Sequence, residues 1–478
     1  MKTITVFIVL ASLILFTNCN GKTKKPKIGT LWDSETEQLA EEYKELYATE
    51  LTLDTIIPNP DIKYPEKRGV DPQNPPIVIN LENKAENGEL DLSQFYTQVE
   101  YVKIEHPLAE KGIAFLGNST YQVMYERGAS SGRGANSRVY LTEDKLIAGD
   151  NFFGYHCFDM QGNYIYTLAA KKELPEFDVK SNSATMYITP ESEIISGISV
   201  SDDNCLITKV ANRKGNFVFH NLGKQKNYLN RPASYGTSIL LSPGSYVSYV
   251  YNPAYTGKEP MLYVFDIKGD TLSAFMNYNP LADIGKGNFT NPESSDFYRY
   301  NQVLSMRQAY NDTIFRVSAD KLTPAFVLNS GNKKPDMQTA LKGDKKGKIF
   351  IYQLMETNDF LFIVHTEDYD CPNNRKSGAV KFFYSYYDKK SGKRYSIPSC
   401  EYPEVFTLQN SIEGTIPLML SNASVYKDKL YSSYTKTQLK QIMDSEAFAS
   451  FSPSQQEKLK ALHDEMTEYE LLIMILKK

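Results

Sequence analysis

Hydrophobic positions in this chain recur mostly with a period of two, the pattern of strands half buried against a core. Val99-Glu100-Tyr101-Val102-Lys103-Ile104 alternates in this way, and Ile77-Val78-Ile79-Asn80-Leu81 is a shorter apolar strand ahead of it. A loose unit then repeats. One copy reads Tyr155-His156-Cys157-Phe158-Asp159-Met160-Gln161-Gly162-Asn163-Tyr164, and another Leu262-Tyr263-Val264-Phe265-Asp266-Ile267-Lys268-Gly269-Asp270-Thr271. Weaker copies lie at Phe217–Gly223, at Thr313–Val317 followed by Pro324–Leu328, and at Phe383–Asp388 followed by Ser391-Gly392-Lys393. Each is an apolar strand, a polar turn usually holding Asp or Gly, and a second strand, which is a β-hairpin. The anchors Phe158, Phe219, Phe265, Phe315 and Tyr387 are 61, 46, 50 and 72 residues apart. A repeat near 40–50 residues with about four strands marks a β-propeller rather than a pair of β-sandwiches.

Five hairpins are countable, and a sixth blade is expected near the C-terminus from strands at Thr415–Leu420 and Lys429–Tyr434. A helix intervenes, with Ser452 as N-cap, Pro453 at N1 and Gln455 completing a capping box. Leu459, Leu462, Met466 and Tyr469 form its apolar face. Leu471 to Leu476 is a continuous apolar run and reads as a buried strand. A closed ring leaves no sheet edge between its first and last blades. The pattern therefore predicts an all-β, six-bladed β-propeller over residues 77–478, with a short C-terminal helix leading to a closing strand. Ile77–Leu81 and Leu471–Leu476 are expected to share the closing blade with Thr415–Leu420 and Lys429–Tyr434.

The N-terminus has a different pattern. Met1-Lys2 precedes an almost unbroken apolar run from Ile4 to Phe16. That is the length of a signal-peptide core and short of the ~20 residues a membrane span needs. Thr17-Asn18-Cys19 follows, so residues 1–18 read as a lipoprotein signal peptide, with Cys19 lipidated and anchoring the chain to a membrane. Residues 19–76 read as a Pro-rich tether with a short helix. Leu39, Tyr43, Leu46 and Tyr47 have helical spacing behind Ser34, and six prolines crowd between Pro58 and Pro76.

Composition narrows the picture. The chain is 41% hydrophobic and 23% charged, enough for a sizeable core. Its net charge of −4 argues against a dedicated nucleic-acid binder. Its 34 Tyr and 24 Phe against 1 Trp favour strands. In the signal ending at Cys19, the stretch Phe95–Glu105, the unit Cys157–Tyr164 and the C-terminal Leu471–Leu476, the chain resembles the six-bladed β-propeller lipoproteins of Bacteroidetes, a family of unknown function. The resemblance covers roughly residues 77–478 and implies an exported, outer-membrane protein. Surface-exported members carry an acidic run after the lipidated Cys. Here Asn20-Gly21-Lys22-Thr23-Lys24-Lys25 is basic, which favours the periplasmic face. A Gly-Pro-rich loop common in the family is replaced by Ala169–Pro175.

Candidate chemistry is sparse. Besides Cys19 there are Cys157, Cys205, Cys371 and Cys400. Cys371–Cys400, the closest in sequence, is the candidate disulfide, against four buried or free thiols. The five histidines show no metal-ligand spacing. His156, His220 and His365 fall in strands of different blades that would have to converge on a channel to form a joint site, and no metal site is expected. The run Arg127–Arg138 has three arginines among Gly, Ala and Ser, a composition able to cradle an anion. It lacks GK[ST], and its plain reading is a flexible loop leading into the first blade. Trp32 is the only Trp, so the Phe-Asp-x-x-Gly turns read as blade punctuation rather than glycosidase Asp-boxes. Asp202-Asp203 and Glu367–Asp370 read as solvated loops, and no nucleophile elbow is present. No catalytic residue and no cofactor are assigned. Tyr249 and Tyr251 share a strand face that either stacks a sugar or packs between blades. Arg299, Tyr300 and Arg307 flank a strand placed to line the channel, and they are the candidate binding site. The reading is a membrane-anchored, non-catalytic binding or scaffold propeller for a glycan, peptide or partner protein. The alternative is a propeller hydrolase or lyase with its active site in the central channel. The sequence leaves the oligomeric state open.

Overall fold

The computed structural model describes residues 67–478, less residues 84, 89–90, 118, 126–127, 136, 171–175, 179–182, 189–192, 212–213, 233–236, 250–259, 277–295, 337–344, 369–381, 401–406, 409, 413–415 and 420–422. Six antiparallel sheets form the ring of a six-bladed propeller. From the innermost strand outward, blade 1 is Arg138–Leu141, Lys145–Asp150, Gly154–Asp159 and Tyr164–Ala170. Blade 2 is Glu193–Ser201, Asn204–Ala211, Lys214–Asn221 and Lys226–Pro232, and blade 3 is Thr237–Ser242, Ser245–Tyr249, Pro260–Asp266 and Thr271–Met276. Blade 4 is Asp296–Tyr300, Val303–Arg307, Thr313–Val317 and Lys321–Asn329, and blade 5 is Ile349–Glu356, Phe360–Glu367, Phe382–Asp388 and Lys393–Cys400. Blade 6 is Ser424–Tyr426, Lys429–Thr435 and Glu470–Lys477, with Gln98–Glu105 from the other end of the described chain as its outermost strand.

Six hydrophobic clusters fill the six gaps between neighbouring blades, and the period of two explains how. In Glu470–Lys477, Leu471, Ile473 and Ile475 face blade 1. Leu472, Met474 and Leu476 face blade 5. Successive residues of a strand point to opposite faces, so a strand covered on both faces must be apolar throughout. The helices α1 (Lys436–Met443) and α2 (Pro453–Glu465) interrupt blade 6 between its second and third strands. Each opens on a complete capping box, Thr435 with Gln438 and Ser452 with Gln455. Leu439, Ile442, Leu459 and Met466 extend the cluster between blades 5 and 6. Among the described residues no helix is long and apolar enough to cross a membrane.

The repeated hairpins are the third and fourth strands of blades 1 to 5, and their turns show why Asp and Gly recur. The Asp159 carboxylate accepts from the backbone N–H of Gln161 (2.9 Å) and Asn163 (2.8 Å), and Gly162 takes the left-handed φ of +90°. Asp266 with Gly269 and Asp388 with Gly392 repeat the arrangement. Blade 6 has no such hairpin because the ring closes there, between Lys477 and Gln98.

Closure differs from expectation. The strand beside Glu470–Lys477 is Gln98–Glu105, paired over its full length, and not Ile77–Leu81. Ile77–Asn80 pairs parallel with Phe326–Asn329 and adds an outer strand to blade 4, with Lys67–Arg68 beside Lys321–Leu322. An eight-residue partner needs an eight-residue complement with one buried face, and a four-residue strand leaves Val78 61% exposed even on blade 4. Among the described residues of Thr415–Leu420, Leu418–Met419 forms a strand, paired with Thr407–Leu408 outside the blade. Ser424–Tyr426 takes the innermost place instead. The Gly-rich run is not a loop. Gly128–Ala135 is a strand paired with Ser119–Tyr125 in an accessory sheet, completed by Glu176–Asp178 and Ser183–Ile188.

Strand direction gives the disc two unlike ends. Turns from first to second and from third to fourth strands all emerge at one end, and none is longer than four residues. At the other end lie the strand ends that are joined in sequence by residues 106–137, 171–192, 277–295, 330–348, 368–381, 401–423 and 436–469. All the long insertions therefore belong to one end, as expected of a scaffold that carries its function in loops.

Candidate functional site

At the turn end, polar residues of the innermost hairpins join blades around the axis. Lys427 of blade 6 pairs with Glu143 of blade 1, and the Tyr426 hydroxyl donates to Asp202 of blade 2 at 3.2 Å. The Arg299 guanidinium donates to the Leu240 carbonyl of blade 3 and to its own hairpin at Gln302 O, 3.0 Å away. Asn301 donates to Asn358 at 3.4 Å, and Asn358 to Asp428. Asp202, Asn301, Gln302 and Lys427 hold positive φ between 46° and 64°, the backbone that two-residue hairpin turns require. Burial lowers the Arg299 pKa to about 10, against the pull of Asp202.

Tyr300 belongs to a second knot, between blades 4 and 5. Glu356 has a fully buried side chain and accepts from Arg316 at 2.8 and 2.7 Å, Lys389 at 2.8 Å and the Tyr298 hydroxyl at 2.9 Å. Burial pushes the Glu356 pKa up, but the hydrogen bonds and charge of Arg316, with Lys389, outweigh it and hold the carboxyl below its usual range. The Tyr300 ring lies 4.1 Å from Lys389 Nζ and 5.0 Å from the Arg316 guanidinium carbon. Burial also drives the Tyr298 hydroxyl pKa well above normal. Arg316, Glu356 and Lys389 were not singled out in the sequence, since they come from three strand ends of two blades with no shared spacing.

The other predicted site residues are placed apart from Tyr300. Arg307 is 1% exposed, and its guanidinium is held by Asp296 (2.8 Å) and by the carbonyls of Asn311 (3.1 Å) and Ile351 (3.3 Å). It lies at the loop end of its strand, opposite Arg299. Tyr249 is buried in the cluster between blades 3 and 4, with its ring 5.5 Å from Phe297. Cys19, Tyr251 and Cys371 lie outside the described residues, as does the side chain of Cys400.

The histidines do not converge. His156 meets His106, which follows the closing strand, with ring centroids 4.9 Å apart. His220 bonds Tyr166 (2.7 Å) and Asn227 (3.0 Å), and His365 stacks on Phe383. Burial lowers the pKa of His106 to about 3, with His156 adding to the shift, and that of His156 to about 4. Cys157 and Cys205 are free and buried, and burial raises both thiol pKa values, Cys157 to about 11. Among the described residues no three His, Cys, Asp or Glu side chains are placed to share a metal ion.

At the loop end, Arg138 opens the innermost strand of blade 1 and is exposed to solvent. Tyr140 and Tyr155 stand beside it, their ring centroids 6.4 Å apart. The Tyr155 hydroxyl donates to Asn151 Oδ1 at 2.9 Å, and Asn151 donates to the Ser196 carbonyl of blade 2 at 3.3 Å. This group spans the gap between blades 1 and 2.

These features define a closed six-bladed propeller with one end tied by polar contacts and the other built from insertions. The chain belongs to the family described as a domain of unknown function, DUF4933, which matches residues 59–445. No curated protein matches the sequence. Among solved structures, the chain is similar to a Bacteroides fragilis protein named as a candidate exported protein, at 14% identity and a TM-score of 0.51. The match covers 84% of this chain and 99% of that one, and at this identity it speaks to the fold alone. Weaker similarity extends to BamB from Moraxella catarrhalis, with 9% identity, a TM-score of 0.31, and 62% and 71% of the two chains covered.

Proposed function

We propose that this chain is an exported, lipid-anchored, non-catalytic binding propeller of the Bacteroidetes lipoprotein type. Acylated Cys19 holds it at the periplasmic face of the outer membrane, and residues 19–76 serve as its tether. The ring presents its loop end to a glycan, peptide or protein ligand. One observation carries this reading. All the long insertions connect strands at one end of the disc, while at the other end Lys427, Glu143, Asp202, Arg316, Glu356 and Lys389 are committed to partners across the blades. A surface whose polar groups are mutually satisfied offers a ligand little, because each new contact must displace an existing one. The apolar run ending just ahead of Cys19 supports the anchor.

Membrane fractionation with labelled palmitate tests the anchor. Wild type is expected in the membrane fraction with label, and Cys19→Ala in the soluble fraction without it. Glycan and peptide arrays, run beside a panel of chromogenic esters and glycosides, test the binding reading. Saturable binding without turnover is expected. Turnover abolished by replacing one carboxylate would overturn it.

A further inference from the structure

We propose that the outer edge of blade 4, at Val70, Ile77 and Val78, is a membrane-contact surface that seats the ring edge-on against the lipid bilayer. The inference rests on the lipid-anchored reading and says which side of the disc meets the membrane.

Exposure comes first. Among the described residues five large apolar side chains stand open to solvent, and three of them fall within nine residues of chain: Val70 (52%), Ile77 (38%) and Val78 (61%). The other two, Tyr164 and Val303, stand singly. A lone exposed apolar side chain is ordinary, whereas a cluster of them marks a contact surface. The ring does not need these side chains for its own packing. Ile79 is buried in the cluster between blades 4 and 5, while Val78, one residue along, points to the opposite side of the strand. Edge strands usually carry a charge, a proline or a bulge at such a place, and this one reads Ile-Val-Ile-Asn.

The path of the chain says what covers the patch. Residues 19–66 lead from the lipidated Cys19 to Lys67, which stands opposite Lys321 on the same edge of blade 4. The chain then stays on the rim, reaching blade 5 at Glu86–Asn87 and blade 6 at Gln98–Glu105. The connection to the anchor therefore meets the ring at its apolar edge. A connection of that length spans at most roughly 170 Å, so the bilayer surface stays at high effective concentration beside the disc. A contact too weak to hold alone is populated under that condition, and an acyl anchor commonly works with a second weak signal. Asp71 and Lys321 place both signs of charge at the patch, so its attraction for lipid is apolar rather than electrostatic.

In a ring of six, blade 1 lies opposite blade 4. The accessory sheet draws its strands from residues 106–137 and 171–192, on either side of blade 1. Seating blade 4 on the bilayer thus attaches that sheet to the blade farthest from the membrane, where a ligand arrives from solution.

The test uses the full acylated chain in phosphatidylcholine vesicles that contain a radiolabelled lipid. Photoreactive benzoylphenylalanine replaces Val70, Val78 or, on the opposite blade, Tyr164. Flotation with the vesicles reports the anchor, and transfer of lipid label to the chain on illumination reports contact. Label is expected at positions 70 and 78 and not at 164. Val78→Asp should cut the label taken up at position 70 by roughly tenfold while the chain still floats. Equal label at 78 and 164, or uptake at 70 untouched by Val78→Asp, overturns the contact surface and leaves the anchor standing. Crosslinks from position 78 to protein in place of lipid also overturn it, and assign the edge to a second copy or a partner chain. A chain that fails to float overturns the anchor and this inference with it.

Discussion

Replacing His156 with phenylalanine is expected to make the protein less stable than wild type, or equal to it, at pH 7.5 and more stable at pH 5. His106 and His156 meet where the closing strand lies against blade 1, both almost fully buried, each with an Nε2 that finds no partner. Their folded-state pKa values of about 3 and about 4 lie below the ordinary value near 6.5. As pH falls through 6.5 the unfolded chain takes up a proton at each ring and the folded chain does not. Stability is therefore lost from about pH 6.5 downward, by roughly 1.4 kcal/mol per pH unit per histidine, until the folded-state pKa is reached. At pH 5 that is about 2 kcal/mol for each ring and about 4 kcal/mol for the pair, a large part of the 5–15 kcal/mol that holds a typical domain. Phenylalanine keeps the ring packing against His106 and Tyr164 but loses the 3.1 Å contact of Nδ1 with Thr167, a cost of about 1 kcal/mol at neutral pH. Urea unfolding at pH 7.5, 6.5, 5.5 and 5.0 measures both chains. The variant's stability should fall about 2 kcal/mol less across that range, so the two curves cross. Parallel curves would refute the reasoning, since they would mean that His156 keeps its ordinary pKa in the folded ring.

Other expectations follow from the same packing. Glu356→Gln leaves Arg316 and Lys389 facing each other without a counter-charge and should cost about 3–5 kcal/mol in urea unfolding, whereas breaking an exposed pair such as Lys393–Glu86 should leave the unfolding midpoint nearly unchanged. Removing residues 470–478 deletes six buried side chains that join Gln98–Glu105 to the rest of blade 6, about 10 kcal/mol of burial. The truncated chain should lack a cooperative transition rather than lose a tail. Cys157 and Cys205 should resist thiol reagents at pH 8 in the native protein and react only on denaturation, because burial raises both pKa values and blocks access.

Much of the fold could be read in the sequence because local rules write it there. A strand covered on both faces must be apolar at every position, so Leu471–Leu476 announced itself. An outer hairpin turn is fixed by an Asp that binds its own backbone and a Gly that takes positive φ, so blades 1, 3 and 5 carried the same short signature. The capping box at Ser452 is likewise a contact within four residues. What the sequence could not decide was pairing across distance. Both Ile77–Asn80 and Gln98–Glu105 read as strands, and only the eight-residue register with Glu470–Lys477 selects the second as the closing partner. Glycine and serine in Gly128–Ala135 signal a loop, yet pairing with Ser119–Tyr125 overrides that weak local preference. The candidate site was hidden for the same reason. Arg299, Tyr300 and Arg307 are close along the chain, but Arg299 and Arg307 sit on the two strands of one hairpin, Arg299 near its turn and Arg307 at its open end, and Tyr300 joins Arg316, Glu356 and Lys389 instead. The polar partners of this knot and of the turn end come from other blades, 40–70 residues away for Arg316–Glu356, Asn301–Asn358 and Asn358–Asp428 and more than 200 for Lys427–Glu143 and Tyr426–Asp202. Their meeting is fixed by how the blades stack around the axis, which no local spacing along the chain encodes.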